Sequence, residues 1–553
     1  SGLQRLGGFG GIADTMDRYN QYVGDPGYLP KDIARFQNAT VASVQKTGQD
    51  NFAKTQRVIV ITVPGKKITE DVPRSPADTD ANVKVTNPYT PQFEAQQDWR
   101  KTPPASGKEA ELHLPVPKTF ALANGLKVYL VEDHSLPVFG ATLTNLAGSD
   151  ANPAGKPGLA SFTARLLTEG TSERSATQLA DDTASIGANL GSGASMDAAF
   201  VNIRALSNSV DAAMTLLSDV TLHPAFQSAE VERIRKQRLT AILQEGDQPV
   251  AATLRVGMKT LYGDYPYGYR DIGTTQSVKA LTRDDLAGFW SNYYAPQGAA
   301  LVLAGDINEA EARKLGEKYF GGWSSSGKSA DIQVPAPPPP PTRKIVIVDK
   351  PGAPQTVLVA FGQGPARATK DYPALNVMNS VLGGLFSSRI NMNLREKNGY
   401  TYGGFSGFFF YRDGGTFFGG AEVRTDVTAP AAKELFFELN RIRTDPPTAA
   451  ELKLAEDNAL RSLPGQFETV QATTALMSEI FTYDLPVNYY QTLPGEYQKL
   501  TPEEVEKTAI DYIHPEKVIL MAVGDRAKIE ADLEKLNLGP IELRDESGDL
   551  VKK

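Results

Sequence analysis

A helix-then-strand pattern that recurs three times along the chain constrains its fold more than any other feature. In each copy a Thr precedes a helix-like segment, and an apolar, strand-like run follows. Thr suits the N-cap of a helix, and acidic residues after it favour the positive end of the helix dipole. From Thr282 to Gly305 and from Thr501 to Gly524 the step is the same, 23 residues. The repeat predicts related α+β units, with strands at both ends of each unit and helices between them.

The first copy, from Thr40 to the apolar run 58–63, has no matching front half before it. A complete unit is expected to begin near 120–131, where Asn124-Gly125 predicts a hairpin turn. We therefore expect the first copy to be the tail of an incomplete domain that begins upstream, with 58–63 as a buried strand. The predicted organisation is a domain tail (1–63), an extended linker (64–115), a complete unit (116–330), a Pro-rich linker (331–342) and a final unit (343–553).

Apolar periodicity and turn residues give the main elements inside these units. The Gly-rich aromatic runs 403–411 and 415–423 predict core strands, with glycines where another backbone approaches closely. Helices are predicted over 158–169, 176–186, 209–222 and 228–245.

Composition excludes several classes of function. The net charge is -8 with no basic stripe, so neither nucleic acid nor an anionic membrane surface is an expected partner. The chain has no Cys, which excludes disulfides, zinc fingers and thiol catalysis. No apolar run reaches the ~18–20 residues that span a bilayer.

The segments 124–128, 147–149 and 158–171 resemble the opening of a zinc domain in the pitrilysin/insulinase peptidases. In that family a helix carries His-x-x-Glu-His, whose histidines bind zinc while the Glu polarises the attacking water. Here Ser161 stands at the first His, Ala164 at the Glu and Arg165 at the second His. Ser is a poor zinc ligand, Ala accepts no proton, and Arg adds a fixed positive charge. The sequence therefore predicts a degenerate zinc domain that holds no metal.

Other candidate metal ligands do not replace the lost motif. Glu245 stands where the resemblance would put a further Glu ligand, but without the histidines it is predicted to be a solvated helix end. No two histidines lie within five residues of each other, so no helical His pair exists. Surface or turn positions are predicted for all four, which are His113, His134, His223 and His514.

The segments 382–389 and 393–402 resemble a signature in the last domain of the same peptidases. The resemblance implies that Arg395 and Tyr402 reach across a chamber to the substrate. A guanidinium can bond a substrate carbonyl, and a phenol can help to hold a developing oxyanion. Arg395 is predicted in the last turns of a helix that ends at Gly399, and Tyr402 in the strand that follows. The alternative is that Arg395 caps its own helix and Tyr402 packs as an amphipathic side chain.

The resemblance implies repeated domains, each an antiparallel sheet covered by helices, and a non-catalytic, substrate-binding role in a peptide-degrading zinc metalloendopeptidase. The zinc is then expected on an N-terminal half or a partner chain, and the enzyme in the periplasm or secreted. Two alternatives stay open. The chain could be a stand-alone non-catalytic subunit of a two-chain peptidase, or a structural relative like the family's core subunits of respiratory complexes.

Overall fold

A computed structural model describes residues 10–52, 55, 57–63, 65, 112–246, 248–324, 332 and 334–551. These residues fall into two compact units, a small one within 5–112 and a large one from His113 onward. Most of the predicted linker 64–115 lies outside the described residues. The predicted Pro-rich linker, where described, forms neither helix nor strand.

The small unit contains three helices, α1 (Ile12–Val23), α2 (Leu29–Gln37) and α3 (Val41–Asn51). Thr40 is the N-cap of α3, as predicted, and bonds Ser43 reciprocally in a capping box. The predicted buried strand at 58–63 is wrong for this unit: the segment belongs to no strand, and Val58 is 90% exposed. A strand needs a neighbour for its backbone groups, and no described residue here supplies one.

The first half of the large unit (residues 113–324) begins with the predicted hairpin, in which β1 and β2 pair antiparallel around the Asn124-Gly125 turn. Its strands are β1 (Lys118–Ala121), β2 (Lys127–Glu132), β3 (Val138–Asn145), β4 (Asn189–Ala194), β5 (Ala199–Leu206) and β6 (Ala299–Gly305). Its helices are α4 (Leu159–Leu166), α5 (Ala176–Ser185), α6 (Val210–Leu222), α7 (Ser228–Gly246), α8 (Pro249–Tyr262), α9 (Thr275–Ala280), α10 (Arg283–Tyr293) and α11 (Glu309–Phe320). The four helices predicted here are confirmed within a few residues at each end.

The second half (residues 334–551) repeats the plan. Its strands are β7 (Lys344–Asp349), β8 (Gln355–Gly364), β9 (Thr401–Phe410), β10 (Gly415–Arg424), β11 (Ile519–Gly524) and β12 (Ile541–Arg544). Its helices are α12 (Tyr372–Asn379), α13 (Arg389–Asn391), α14 (Thr428–Arg441), α15 (Ala449–Ser462), α16 (Val470–Thr482), α17 (Tyr489–Tyr497), α18 (Pro502–Tyr512) and α19 (Arg526–Glu534). Two π-helical turns, Ser380–Gly384 and Met392–Lys397, follow α12 and α13.

Each half builds one six-stranded sheet, in the orders β1-β2-β6-β3-β5-β4 and β12-β7-β11-β8-β10-β9. The repeat is exact in its centre: β6 lies between parallel β2 and antiparallel β3, and β11 lies between parallel β7 and antiparallel β8. The sheets are therefore mixed, which corrects the expectation of antiparallel sheets. The long helical connections before β6 and β11 supply the crossover that parallel pairing needs.

One helix of each half packs on the sheet of the other half. The helix α8 packs on β8 and β11, where Gly257 lies against the ring of Phe361. The helix α16 packs on β3 and β6, where the Thr142 hydroxyl donates to that of Thr474 at 2.9 Å. Because one face of each sheet is covered by a helix from the other half, the two halves are interlocked.

No helix in the described part of the chain is long and apolar enough to cross a membrane.

Candidate functional site

The helix α4 carries the three positions of the degenerate zinc motif, and the structure gives each of them a structural partner. Ser161 is buried, donates to the backbone carbonyl of Asp271 and accepts a 2.8 Å hydrogen bond from Arg238 Nη2. Ala164 is fully buried in the core of the first half. Ser161 and Ala164 therefore hold α4 against its neighbours and offer no free donor atom.

Arg238 on α7 supplies the cation of this region. Its Nη2 also donates to the carbonyl of Ile272 at 2.6 Å, and its guanidinium lies 5.1 Å from the centre of the Phe162 ring. Burial lowers the pKa of Arg238 to about 10, so the side chain still carries a positive charge at neutral pH. The positively charged guanidinium of Arg238 is thus hydrogen-bonded to Ser161, the residue at the position of the first zinc ligand.

Arg165 adds a second cation on the same helix. It forms an ion pair with Glu169, which is 8% exposed and also pairs with Arg233 on α7. Both carboxylate oxygens of Glu169 are used in these pairs, so Glu169 ties α4 to α7. Its role here is structural.

Glu245 lies half-buried near the end of α7 and pairs with Arg270 at 3.4 Å. Glu245 was predicted to be a solvated helix end, and it is instead partly buried and ion-paired. Among the histidines, His134 bonds Asp306 at 2.8 Å, and His514 bonds the carbonyl of Asp511 at 3.0 Å. No group of three potential metal ligands occurs among the described residues. A serine committed to hydrogen bonds, an alanine and two arginines do not fit a zinc ion.

Arg395 lies in the π-helical turn Met392–Lys397, whose C-cap is Asn398, and Gly399 follows as the predicted C′ residue with a φ of 63°. Its side chain is 35% exposed. The guanidinium lies 4.6 Å from the centre of the Phe386 ring and 3.5 Å from a carboxylate oxygen of Glu396. Both contacts are weak at such exposure, so the guanidinium has donors left for a ligand.

Tyr402 is the second residue of the edge strand β9 and lies at a β-bulge. Gly404 pairs with Ala421 and Thr401 with Val423, so Tyr402 and Gly403 together stand opposite the single residue Glu422. A bulge redirects side chains, and the Tyr402 side chain is 90% exposed. No described residue forms a hydrogen bond with its hydroxyl. Arg395 and Tyr402 thus occupy consecutive elements, both open to a ligand.

Sequence reasoning missed a buried polar cluster that joins the two halves. Arg412, on the turn between β9 and β10, donates to Asp150 Oδ2 at 3.0 Å and also bonds the carbonyl of Asp197. The Tyr483 hydroxyl donates to the Asp197 carboxylate at 3.2 Å. Burial raises the pKa of Asp150 to about 8 and that of Asp197 to about 6. Partners more than 200 residues apart leave no local signal in a single sequence.

Arg238 was also missed, although a signal for it existed. It precedes Glu245 by seven residues, two helical turns, and therefore lies on the same face of α7. An Arg on the face that would carry a metal ligand argues against the metal.

Comparison with known proteins agrees with this geometry. The profile of the insulinase family, peptidase family M16, matches residues 127–271, and that of the peptidase M16 inactive domain matches residues 280–458. An uncharacterized zinc protease from Mycobacterium leprae is 27% identical over 393 residues, which cover 70% of this chain and 86% of that protein. A non-peptidase homolog, YmxG, from Helicobacter pylori is 24% identical over 378 residues, 68% of this chain and 86% of that protein.

A solved structure also resembles this chain in fold and sequence. The crystal structure of a peptidase M16 inactive domain from Pseudomonas fluorescens superimposes with a TM-score of 0.69 at 27% identity. The match covers 74% of this chain and 98% of that one. The two matched profiles together span more than half of the chain, and the folds coincide. The chain belongs to the insulinase family of peptidases, peptidase family M16.

Proposed function

We propose that this chain is the non-catalytic, substrate-binding part of a zinc metalloendopeptidase. The zinc and the catalytic base come from another half, whether on the same polypeptide or on a partner chain. Arg395 and Tyr402 hold the peptide beside that zinc. The observation that carries the proposal is the contrast between the two segments of the chain that resemble family motifs. The motif positions on α4 are Ser161, Ala164 and Arg165, and Arg238 of α7 bonds Ser161, whereas Arg395 and Tyr402 keep accessible donors.

The chemistry of Arg395 and Tyr402 fits a role in substrate binding, with the zinc chemistry supplied by another half. Arg395 has a guanidinium with five N–H donors, and its aromatic and carboxylate neighbours leave part of it exposed. It can donate to a backbone carbonyl of an extended peptide. The exposed hydroxyl of Tyr402 can donate to the oxyanion that forms when water attacks the scissile carbonyl. Neither step requires a metal on this chain.

The segment 58–63 supports the existence of a docking partner. Its residues stand 18–23 positions after the N-cap Thr40, and β11 stands 18–23 positions after the N-cap Thr501. In β11 every residue is buried between two strands, whereas Val58, Val60 and Ile61 are each more than 80% exposed. We infer that 58–63 becomes the central strand of a sheet that the zinc-bearing half supplies, since such pairing would bury its apolar side chains and satisfy its backbone groups.

Reconstitution tests this function. The chain is mixed with a zinc-bearing insulinase-family half from the same organism, and cleavage of a quenched fluorescent peptide is followed. We expect the mixture to cleave faster than the zinc-bearing half alone, and amide exchange in 58–63 to slow on mixing. The proposal fails if the chain cleaves the peptide by itself with bound zinc, or if no zinc-bearing half changes its rate on adding the chain.

A second candidate function is a stand-alone non-catalytic subunit. Its support is that residues from 113 onward form one compact unit, and that one relative, matched over 86% of its length, is named a non-peptidase homolog. In this case the chain would bind a separately folded zinc-bearing protein without lending it a strand. The same exchange experiment separates the two: binding that leaves 58–63 unprotected favours the subunit.

A further inference from the structure

An apolar cavity of about 450 Å³ opens beside Tyr402 at the edge of the second sheet. The helix α8 packs over β8 and β11 on this face, and its first turns line the cavity together with residues of β8, β9 and β10. We call this cavity the aromatic trough. Its volume lies within the range of about 300–1,000 Å³ that is typical of ligand pockets. Its lining includes Leu254, Val357, Phe405, Phe409 and Phe418.

The aromatic wall of the trough is held in place by packing. The Phe418 ring lies 4.6 Å from that of Phe409 and 6.2 Å from that of Phe405, between ring centres. Gly407 makes this arrangement possible, because a Cβ there would lie 2.5 Å from the Phe418 ring. Phe405 remains 37% exposed. A rigid apolar wall that is partly open to solvent favours a bulky apolar side chain as its ligand.

The mouth of the trough is polar and negative. The β-bulge puts Tyr402 and Gly403 opposite Glu422, and all three residues line the cavity. No described residue forms an ion pair with the Glu422 carboxylate, which is exposed, and none of the Lys, Arg or His residues that the structure describes lines the trough. The charge at the mouth therefore complements a cation next to the apolar group.

We propose that the aromatic trough is a specificity pocket for a peptide in which an aromatic or large aliphatic residue stands next to Lys or Arg. The apolar side chain enters the trough, the basic side chain pairs with Glu422, and the backbone passes the Tyr402 hydroxyl. This inference rests on the proposed function, because it names the class of peptide that Tyr402 positions.

Gly403 allows the trough to be blocked without strain. It has an ordinary backbone conformation, and an added Cβ would meet only Asn391 Oδ1, at 4.0 Å. Gly403 also alternates with Phe405 along β9, so a side chain there shares the face of the aromatic wall. Gly403→Leu is therefore a plugging variant. Gly288→Leu is its matched control, since a Cβ at Gly288 on α10 meets no atom within 4 Å.

The test measures binding by fluorescence anisotropy on the full chain, without a zinc-bearing half. The probes are labelled Gly/Ser nonapeptides whose central pair is Phe-Lys, Ala-Lys or Phe-Glu. We expect Phe-Lys to bind at least tenfold more tightly than Ala-Lys, since Ala forgoes burial of the ring. Phe-Lys should bind about two- to fivefold more tightly than Phe-Glu, as for an exposed ion pair. Gly403→Leu should abolish the Phe preference, and Glu422→Gln only the Lys preference, while Gly288→Leu keeps both.

Two outcomes overturn the proposal. One is equal binding of Phe-Lys and Ala-Lys to the wild-type chain. The other is a Phe preference that survives Gly403→Leu, which would mean that the ring binds elsewhere. Both are binding results on the chain alone, so they leave the proposed function standing if Tyr402-dependent cleavage is still seen after reconstitution. Conversely, a selective trough on a chain that never promotes cleavage would leave the pocket and remove the peptidase role.

Discussion

Arg412 Nη1 donates to Asp150 Oδ2 at 3.0 Å, and this bond links a turn of the second half to the buried interior of the first. Asp150 is 4% exposed, and its other carboxylate oxygen has no partner among the described residues. The same guanidinium bonds the backbone carbonyl of Asp197, and its charge also acts on the buried Asp197 carboxylate. Burial outweighs its attraction and raises the pKa of both. We therefore expect the stability of the junction between the halves to depend on pH.

Stability should fall as pH rises between 5.5 and 7.5, in part because of Asp150. Its pKa in the folded protein, about 8, exceeds the ordinary value of 3.8, so the folded protein holds a proton that the unfolded chain releases. The stabilisation is complete below pH 4 and is lost as pH rises through about 8. The expected slope is on the order of 1 kcal/mol per pH unit. Urea unfolding of Asp150→Asn should show a flatter pH profile than wild type, whereas exposed Asp284→Asn should not.

Removal of Arg412 should destabilise the large unit strongly. Arg412→Met leaves Asp150 and Asp197 buried without their cation, a situation that costs about 3–5 kcal/mol. Adding Asp150→Asn to that variant removes one of the stranded acids, so part of the loss should return. The measurement is a double-mutant cycle by urea unfolding at pH 9, where both acids are ionised because their pKa values are about 8 and about 6. Independent effects of the two changes, adding without any coupling, would mean that the bond contributes nothing to the junction.

Restoring the zinc motif alone should not restore zinc binding. Ser161→His, Ala164→Glu and Arg165→His rebuild the three motif positions, but Arg238 still points a guanidinium at position 161, 2.8 Å from the present hydroxyl. That charge opposes a dication. We expect metal analysis to find little zinc in the triple variant and more when Arg238→Gln is added. Equal zinc in both would mean that Arg238 is not the obstacle.

The interlocking of the halves predicts opposite effects for two glycines in helices. Gly→Ala inside a helix usually stabilises by about 0.4–1 kcal/mol, and Gly288→Ala on α10 should do so because its Cβ meets open space. Gly257→Ala on α8 should instead destabilise, since its Cβ would lie 2.6 Å from the Phe361 ring across the two halves. Overpacking of this kind costs about 1–3 kcal/mol. Thermal melting of the two variants checks the sign of each effect.

Local chemistry made much of the fold predictable. The Asn124-Gly125 hairpin and the N-caps Thr40, Thr282 and Thr501 depend on residues within a few positions of each other, and all are found. The left-handed Gly399 just after the helical turn that carries Arg395 is another local feature.

Contacts between distant segments were not predictable in the same way. The helix α8 packs on the second sheet with Gly257 against the ring of Phe361. The residues near Gly257 and Phe361 in the sequence do not indicate this contact. The segment 58–63 has the composition of a buried strand, yet burial also requires neighbouring strands. The composition of a segment determines how much apolar surface it would bury by pairing, but whether it pairs depends on the presence of neighbouring strands.

The sharpest prediction concerns Tyr402 after reconstitution with a zinc-bearing half. Tyr402→Phe removes one hydroxyl that no described residue bonds, so the melting temperature should not change. If the hydroxyl donates to the oxyanion, kcat should fall ~10²–10³-fold. Arg395→Ala also removes a ground-state contact, so KM should rise as kcat falls. Tyr319→Phe is the control, because its hydroxyl bonds the carbonyl of Asp211 at 2.9 Å within the first half. Full activity of Tyr402→Phe would exclude the catalytic role, and a lower melting temperature with unchanged kinetics would indicate a packing role instead.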